Sequence, residues 1–246
     1  VGVGVDVFAA LTTGDKNVAV GFASLNANST GINNTAVGYH SLTDNTTANN
    51  NTAIGFQTLA TNTTGTQNTA VGRNALNANT TADNNTGVGF ASVQANTTGS
   101  ENTGLGHNSL ADNTTGSSNT GIGQGALLNN TTASNNTAVG KSALQVNTTA
   151  DYNTAIGMDA LKSATTGAQN TMVGALSGDA ITTGQYNVGV GIHAVGSTTT
   201  ASNNTGIGYN ALFANTTGSE NTAVGRLSLD ANTTGTNNAA VGNQAL

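Results

Sequence analysis

Aliphatic residues recur along this chain at every seventeenth position. Each is Val, Ile or Leu and stands directly before a glycine, as in the segment 34–38, Asn-Thr-Ala-Val-Gly. Most units also carry a leucine four residues after that glycine, as at Leu42. A fixed short period across a whole chain is typical of a repeat architecture in which each unit packs on its neighbours. The glycines of the repeat lie at positions 4, 21, 38, 55, 72, 89, 106, 123, 140, 157, 174, 191, 208, 225 and 242.

The three residues before each glycine predict a short β-strand. The first is mostly Thr, the second is Ala or Gly in every unit except at Met172, and the third is aliphatic. Enrichment in β-branched residues favours a strand. Val18 and Val188 replace the Thr, and Thr and Val have nearly the same shape. We therefore expect the first and third residues to face the interior with the leucines, and the small second residue to face outward against another chain.

Asn, Thr and Gly predict the turns between these strands. Asn begins every strand from Asn17 to Asn238, and Thr fills another column from Thr13 to Thr234, always followed by Gly or Ala. Asn and Gly tolerate left-handed backbone. Seventeen residues suit one coil of two short strands and two turns, and stacked coils place like residues about 4.8 Å apart. The sequence therefore predicts an all-β fold, a parallel β-solenoid (β-roll) of about fifteen coils with seventeen residues in each.

The period holds from one end of the sequence to the other, so we interpret residues 1–246 as a single continuous β-solenoid array. Because both ends cut through the repeat, we expect a segment of a longer fibrous protein. The pattern is least regular in 158–200, where Met172 enters the small column and Gly178 replaces the leucine. We expect local compensation there, for example by Leu176, with a specialised surface patch as the alternative.

Composition narrows the functional classes. The net charge is −6, from 11 acidic and 5 basic residues, so no basic patch is expected to bind nucleic acid. The absence of Cys excludes disulfides and thiolate metal sites, and no apolar run is long enough to insert into a membrane. Two large aliphatic residues per coil bury little apolar surface against the conformational entropy of seventeen ordered residues. We therefore expect a second apolar interface, made in a homo-oligomer.

The recurring Asn-Thr-Ala-Val-Gly-x-x-Ala-Leu unit resembles the Ser-Val-Ala-Ile-Gly-type repeats of trimeric autotransporter adhesin heads. It is also similar to repeats of phage and bacterial tail-fibre-like proteins. The resemblance covers the whole chain, although this seventeen-residue unit is longer and carries Thr where those heads often carry an aliphatic residue. The resemblance implies a left-handed parallel β-roll with three chains side by side, outside the cell or on a virion.

No catalytic, cofactor or metal site is predicted. His40, His107 and His193 stand at variable positions several coils apart, too far from one another to share a substrate or a metal. The acidic residues are scattered, and no complete Gly-x-Gly-x-x-Gly motif occurs. We therefore expect that the protein is not an enzyme.

Two sets of residues are candidates for modification or contact. N-glycosylation sequons occur in the turns, with turn formation by the same Asn and Thr side chains as the alternative. Their asparagines are Asn28, Asn45, Asn62, Asn79, Asn96, Asn113, Asn130, Asn147, Asn215 and Asn232. Large residues follow the glycines and either cover a neighbouring chain or form a ligand-facing stripe. The aromatic ones are Phe22, Tyr39, Phe56, Phe90 and Tyr209.

These observations favour a structural or adhesive extracellular fibre, such as a cell-surface filament or an adhesin stalk and head. Its expected partners are further copies of itself, with a trimer favoured, and a host surface glycan or protein. A phage tail-fibre shaft is one alternative. An ice-binding β-solenoid is another, since arrays of Thr at strand spacing can order water and the Asn-Thr-Thr segments supply such an array.

Overall fold

The computed structural model describes all residues from 1 to 246 and contains fifteen short β-strands and no α-helix. They lie in two compact units, Val1–Asn119 and Thr120–Leu246. The first unit contains β1 Gly2–Val3, β2 Val18–Val20, β3 Thr35–Val37, β4 Thr52–Ile54, β5 Thr69–Val71, β6 Thr86–Val88 and β7 Thr103–Leu105. The second contains β8 Thr120–Ile122, β9 Thr137–Val139, β10 Thr154–Ile156, β11 Thr171–Val173, β12 Val188–Val190, β13 Thr205–Ile207, β14 Thr222–Val224 and β15 Ala239–Val241. The prediction of one continuous array over 1–246 stays a prediction.

Within each unit, every strand pairs in parallel with the strand one repeat further on. Thr35 pairs with Thr52 and Val37 with Ile54, and the same register repeats along both units. Like side chains therefore stack in files with the usual spacing between strands, about 4.8 Å. This confirms the predicted parallel β-solenoid, whose stacked coils lie about 17 residues apart in the sequence.

Each coil has one strand, not the two that we predicted. The rest of the circuit turns repeatedly because several of its residues have left-handed backbone. In the coil that begins at Asn34, φ is 50° at His40, 50° at Leu42 and 60° at Asn50. Positive φ at such short intervals is incompatible with an extended strand, so the polypeptide closes its circuit through turns.

The strands face the opposite way from our prediction. The middle residue points inward, and Ala36 is fully buried. The Thr and the aliphatic residue point outward, and Ile54 and Leu105 are 41% and 46% exposed. The physical reason is the narrow interior, because a Cβ added at Gly206 would lie 2.8 Å from Val195 Cγ2. The small column is therefore required by packing against the leucine-file residue of the preceding coil and not by a neighbouring chain.

The leucine file forms the core, as predicted. Leu42 is fully buried although its φ of 50° is unfavourable for a side chain with a Cβ. Burial of a leucine side chain contributes about 1.5–3 kcal/mol, which offsets that strain. The fully buried leucines are Leu25, Leu42, Leu59, Leu76, Leu110, Leu127, Leu144, Leu161 and Leu212.

The irregular coils of the second unit exchange one large core side chain for another. Met172 takes the inward strand position and is fully buried, and Gly178 takes the place of the leucine. A Cβ added at Gly178 would lie 2.6 Å from Met172 Sδ and 3.1 Å from Ile181 Cδ1. The expected compensation by Leu176 is wrong, because Met172 and Ile181 fill the space while Leu176 is only partly buried.

Two files of asparagine line the rest of the interior. In the first, Asn45 Nδ2 donates to Asn28 Oδ1 at 2.8 Å and to its own turn at Ala48 O at 3.2 Å. In the second, Asn34 Nδ2 donates to Ala48 O at 2.8 Å, and Asn34 Oδ1 accepts the Asn51 N–H at 3.0 Å. Buried amides are stable when they are hydrogen-bonded, so these files tie successive coils together.

Candidate interaction surface

The outward face of the sheet carries a file of Thr beside a file of aliphatic residues. We call this surface the Thr–aliphatic face. Thr52 and Thr69 stand at its first position and have no side-chain hydrogen bond within the chain. Its aliphatic residues are Val20, Val37, Ile54, Val71, Val88 and Leu105 in the first unit and Ile122, Val139, Ile156, Val173, Val190, Ile207, Val224 and Val241 in the second. Each unit thus presents a regular, largely apolar surface.

A glycine corner bounds this face where each strand ends. Gly38 has φ of 136°, and an added Cβ would collide with the carbonyl oxygen of Gly55 in the next coil. Only glycine fits, because the backbones of stacked corners approach closely. The residue after the corner projects from the surface, as Tyr39 does at 46% exposure. We call this file the after-glycine stripe.

In the first unit the after-glycine stripe is a continuous stack. Phe22 and Tyr39 stack with ring centroids 5.4 Å apart, and Tyr39 and Phe56 stack at 5.2 Å. Arg73 follows, with its guanidinium carbon 5.6 Å from the ring centroids of both Phe56 and Phe90. The seventeen-residue spacing of these residues was the sequence signal for this stack, which we had not predicted.

Beyond Phe90 the stack continues to His107, whose ring lies 5.1 Å away at an interplanar angle of 12°. In the second unit Arg226 lies over Tyr209 at 6.0 Å. Because neighbouring rings in the first unit cover one another's faces, mainly their edges meet solvent. Stacking of an aromatic ring on a ligand needs a free face. The stripe therefore suits edge contacts with a neighbouring chain better than stacking on sugars.

The other border of the Thr–aliphatic face is the turn just before the Asn that begins each strand. We call it the pre-strand border. Here a side-chain oxygen accepts the backbone N–H of the equivalent residue in the preceding coil. Asn49 Oδ1 does so at 2.7 Å, Asp83 Oδ1 at 2.6 Å and Asp151 Oδ1 at 2.7 Å. Tyr152 and Tyr186 project from this border at 61% and 52% exposure. Neither the type nor the spacing of these residues marks them as a border in the sequence.

The sequon asparagines lie inside the coils. Nine of the ten are fully buried, and Asn232 is partly buried. Asn79 is typical, since its Nδ2 donates to Asn62 Oδ1 at 2.9 Å and to Ala82 O at 3.0 Å. A glycan on Nδ2 would have to displace these bonds. The burial supports the turn-forming alternative, and glycosylation of these residues stays a prediction.

The charged groups form little structure of their own. Lys162 and Asp159 make the only ion pair, at 3.3 Å. Burial raises the pKa of the nearby Asp179 carboxyl, and a backbone hydrogen bond and the charge of His193 partly oppose this. His40 lies against Tyr39, and its Nδ1 is 3.3 Å from the hydroxyl of Thr43.

Three further properties of the structure bear on function. The surface contains no pocket, and no three His, Asp or Glu side chains lie close enough together to hold a metal ion. No helix of the length and apolarity needed to cross a bilayer occurs.

No protein-family model, curated protein or solved structure matches the chain. The fold itself defines the chain as a parallel β-solenoid repeat protein.

Proposed function

We propose that this chain is a self-associating segment of an extracellular structural or adhesive fibre, with the Thr–aliphatic face as its contact surface. The exposed aliphatic file is the observation that carries the proposal. All-parallel sheets in proteins are almost always covered on both faces. Here the inner face packs on the leucine file, and the outer face, with Ile54 and Leu105 more than 40% exposed, has no cover from its own chain.

The interior of each coil adds to this argument. Apart from one leucine, the buried side chains are small or polar, such as Ala36, Ser41 and Asn45. Apolar burial supplies most of the free energy of folding, at about 25 cal/mol per Å². Covering the aliphatic file with other copies would add to this burial in every coil. We therefore propose a homo-oligomer, with a trimer favoured, in which the contact is the Thr–aliphatic face and not the small column.

An extracellular fibre agrees with the rest of the chain. A repeat in which every coil bonds only to its neighbours suits extension in one direction. The after-glycine stripe flanks the contact face and is proposed to cover the side of a neighbouring copy. An adhesin stalk or head and a phage tail-fibre shaft both fit this description. Immunogold electron microscopy of the native source distinguishes them, because the label would lie on a cell-surface filament in one case and on a virion in the other.

The self-association is tested by sedimentation equilibrium. The wild-type chain of 24.1 kDa is expected to sediment as a stable multiple of that mass. Replacing Ile54 and Val88 by Ser on the contact face should lower the association constant at least about tenfold, since each loses about 1.5–3 kcal/mol of apolar burial. The matched control replaces the exposed turn residues Thr64 and Thr98 by Ser and should leave association unchanged. A folded wild-type monomer would contradict the proposal.

A second function, ice binding, is favoured by one observation. Thr52, Thr69 and Thr86 form a file of unpartnered hydroxyls beside aliphatic residues on a regular sheet. The Asn-Thr-Thr segments contribute less to such a face, because Asn45 is buried and the Thr46 hydroxyl donates to Thr63 O at 3.1 Å, which leaves Thr47 as the exposed residue of the three. Thermal hysteresis of a solution of monomeric protein would support ice binding over self-association, because oligomers would cover the same face.

A further inference from the structure

The two borders of the Thr–aliphatic face differ in charge. The after-glycine stripe contains three of the five basic residues, Arg73, Lys141 and Arg226, and none of the eleven acidic ones. The pre-strand border carries acidic residues, among them Asp83 and Asp151. The face is therefore flanked by a basic and aromatic file on one side and by an acidic and polar file on the other.

Basic and acidic residues occur in the same coils. Asp83 stands ten residues after Arg73, and Asp151 stands ten residues after Lys141, in the equivalent positions. The two borders lie at opposite ends of each strand. The five residues from the Asn before the strand to the corner glycine separate them by roughly 17 Å when extended. Members of a pair therefore cannot meet within one chain. Neither Arg73 nor Lys141 takes part in an ion pair, since the only one joins Lys162 and Asp159.

The acidic residues are not needed for the local hydrogen bond that they accept. Asn49 Oδ1 accepts the equivalent N–H at 2.7 Å, and Ser117 Oγ does so at 3.1 Å. A neutral side chain is thus sufficient at this position. Asp83 uses Oδ1 for its bonds to Thr66, which leaves Oδ2 for a cation. The other acids of this border are Asp15, which stands beside Lys16, and Glu101 and Glu220, whose coils carry the aromatic residues Phe90 and Tyr209 on the after-glycine stripe.

Side-chain size is also complementary in one coil of the second unit, whereas Tyr152 shares its coil with the long Lys141. Ala175 is the smallest residue of the after-glycine stripe. Its coil carries Tyr186, exposed by 52%, on the pre-strand border. A small residue on one border thus accompanies a large one on the other, as expected if the two borders pack against each other across a contact.

We propose that copies of this chain form a closed ring in parallel register, in which the after-glycine stripe of each copy contacts the pre-strand border of the next. When the Thr–aliphatic faces turn toward a common axis, opposite borders of neighbouring copies meet, and a ring of such unlike contacts closes. Arg73 then pairs with Asp83 of the next copy and Lys141 with Asp151. These pairs fix the register, since charge complementarity sets specificity more than affinity. The inference rests on the proposed self-association.

Cross-linking tests the register directly, because the natural chain has no cysteine. The full-length variant Arg73→Cys with Asp83→Cys is treated with a short bifunctional thiol reagent. We expect covalent species that end at one ring size on a denaturing gel. The matched control, Arg73→Cys with Ile32→Cys, uses the same border position three coils away, about 14 Å along the file, and should give no such species. Lys141→Cys with Asp151→Cys repeats the test independently.

Charge reversal gives a second readout. Arg73→Asp should raise the concentration at which the oligomer dissociates about tenfold, because it faces Asp83 with a like charge. Adding Asp83→Arg should restore most of the loss. Gln124→Asp is the control, since Gln124 is exposed on the same stripe and the border turns before and after it carry only Ser and Asn. Equal cross-linking of the control pair, or no rescue by the second reversal, would overturn the register while leaving self-association intact. A wild-type monomer in sedimentation would instead remove the proposed function and this inference together.

Discussion

Met172 occupies the space that a side chain at Gly178 would need. A Cβ built on Gly178 would lie 2.6 Å from Met172 Sδ and 2.9 Å from its Cγ. In the preceding coil the same two positions hold Ala155 and Leu161, both fully buried. The coil thus keeps its core filled by moving the large side chain from the turn to the strand.

This exchange predicts strong coupling between the two positions. Met172→Ala should cost about 2–5 kcal/mol because it leaves a cavity, and Gly178→Leu should also destabilise because the new side chain clashes with Met172. The double variant restores the arrangement of the preceding coil and should be more stable than either single variant. Urea denaturation at fixed protein concentration measures this. Additive losses would show that the two residues do not share one space.

Val93 should be a weak point of the leucine file. It is fully buried and holds a φ of 53°, which is especially unfavourable for a β-branched residue. Val93→Leu adds a buried methylene and removes the β-branch, so we expect a gain of about 0.5–1.5 kcal/mol. Leu76→Val is the mirror control and should lose a similar amount. Thermal unfolding of both variants tests this, and a destabilised Val93→Leu variant would argue against the packing.

The asparagine file should be costly to interrupt. Asn79 donates to Asn62 and accepts from Asn96 at 2.9 Å, all within the buried interior. Asn79→Ala leaves Asn62 Oδ1 without its donor and one N–H of Asn96 Nδ2 without an acceptor, which costs about 1–3 kcal/mol for each buried group. Thr81→Ala, at an exposed position of the same turn, is the control and should change stability little. Comparable unfolding midpoints for the two variants would refute the role of the file.

The asparagine file that contains Asn79 is interrupted after Asn147. The stability lost on replacing one of its asparagines by Ala should therefore depend on the position replaced. Asn147 Oδ1 is buried without a partner because Ala164, at the equivalent position of the next coil, has no amide to donate. Asn147→Ala therefore removes fewer hydrogen bonds than Asn79→Ala. It should cost less in the same denaturation experiment.

Asp179 should make stability depend on pH. Burial raises its pKa in the folded state, so the protonated form is favoured there. The stabilising contribution is complete below the unfolded pKa and is lost as the pH rises through the folded pKa. Asp179→Asn should therefore raise the unfolding temperature at pH 7 and have little effect at pH 3. An equal change at both values would show that the carboxyl charge is not responsible.

The sequence predicted the period, the parallel stacking and the leucine file because each depends on one strong signal. Leu42 recurs in phase, and a file of large apolar side chains at equivalent positions gains free energy by burial in the interior. Which face of each strand lies inside was not predictable from alternation alone. Alternation places Thr35 and Val37 on one face and Ala36 on the other, but it does not say which face is buried. The small residue at Ala36 was the signal that could have decided it, because so short a coil has no room for a larger one beside the leucine.

The buried asparagines and the surface partners were harder to predict. Asn45 and Asn34 appeared as turn residues, which they are, but their amides turn inward and bond from coil to coil. Polar side chains are assigned to the surface by default, and only the stacking of identical amides makes their burial favourable. The proposed pairing of Arg73 with Asp83 needed the outward direction of the Thr–aliphatic face before the two borders could be recognised.

The central claim is that Val71 faces outward and is covered by another copy, whereas its neighbour Ala70 faces inward. Single cysteines at these two positions, in a chain with none of its own, test it by the rate of thiol labelling. The account predicts that Ala70→Cys is protected at every concentration, and that Val71→Cys is protected in the oligomer and labelled once dilution separates the copies. Rapid labelling of Ala70→Cys, or labelling of Val71→Cys that does not change with concentration, would contradict it.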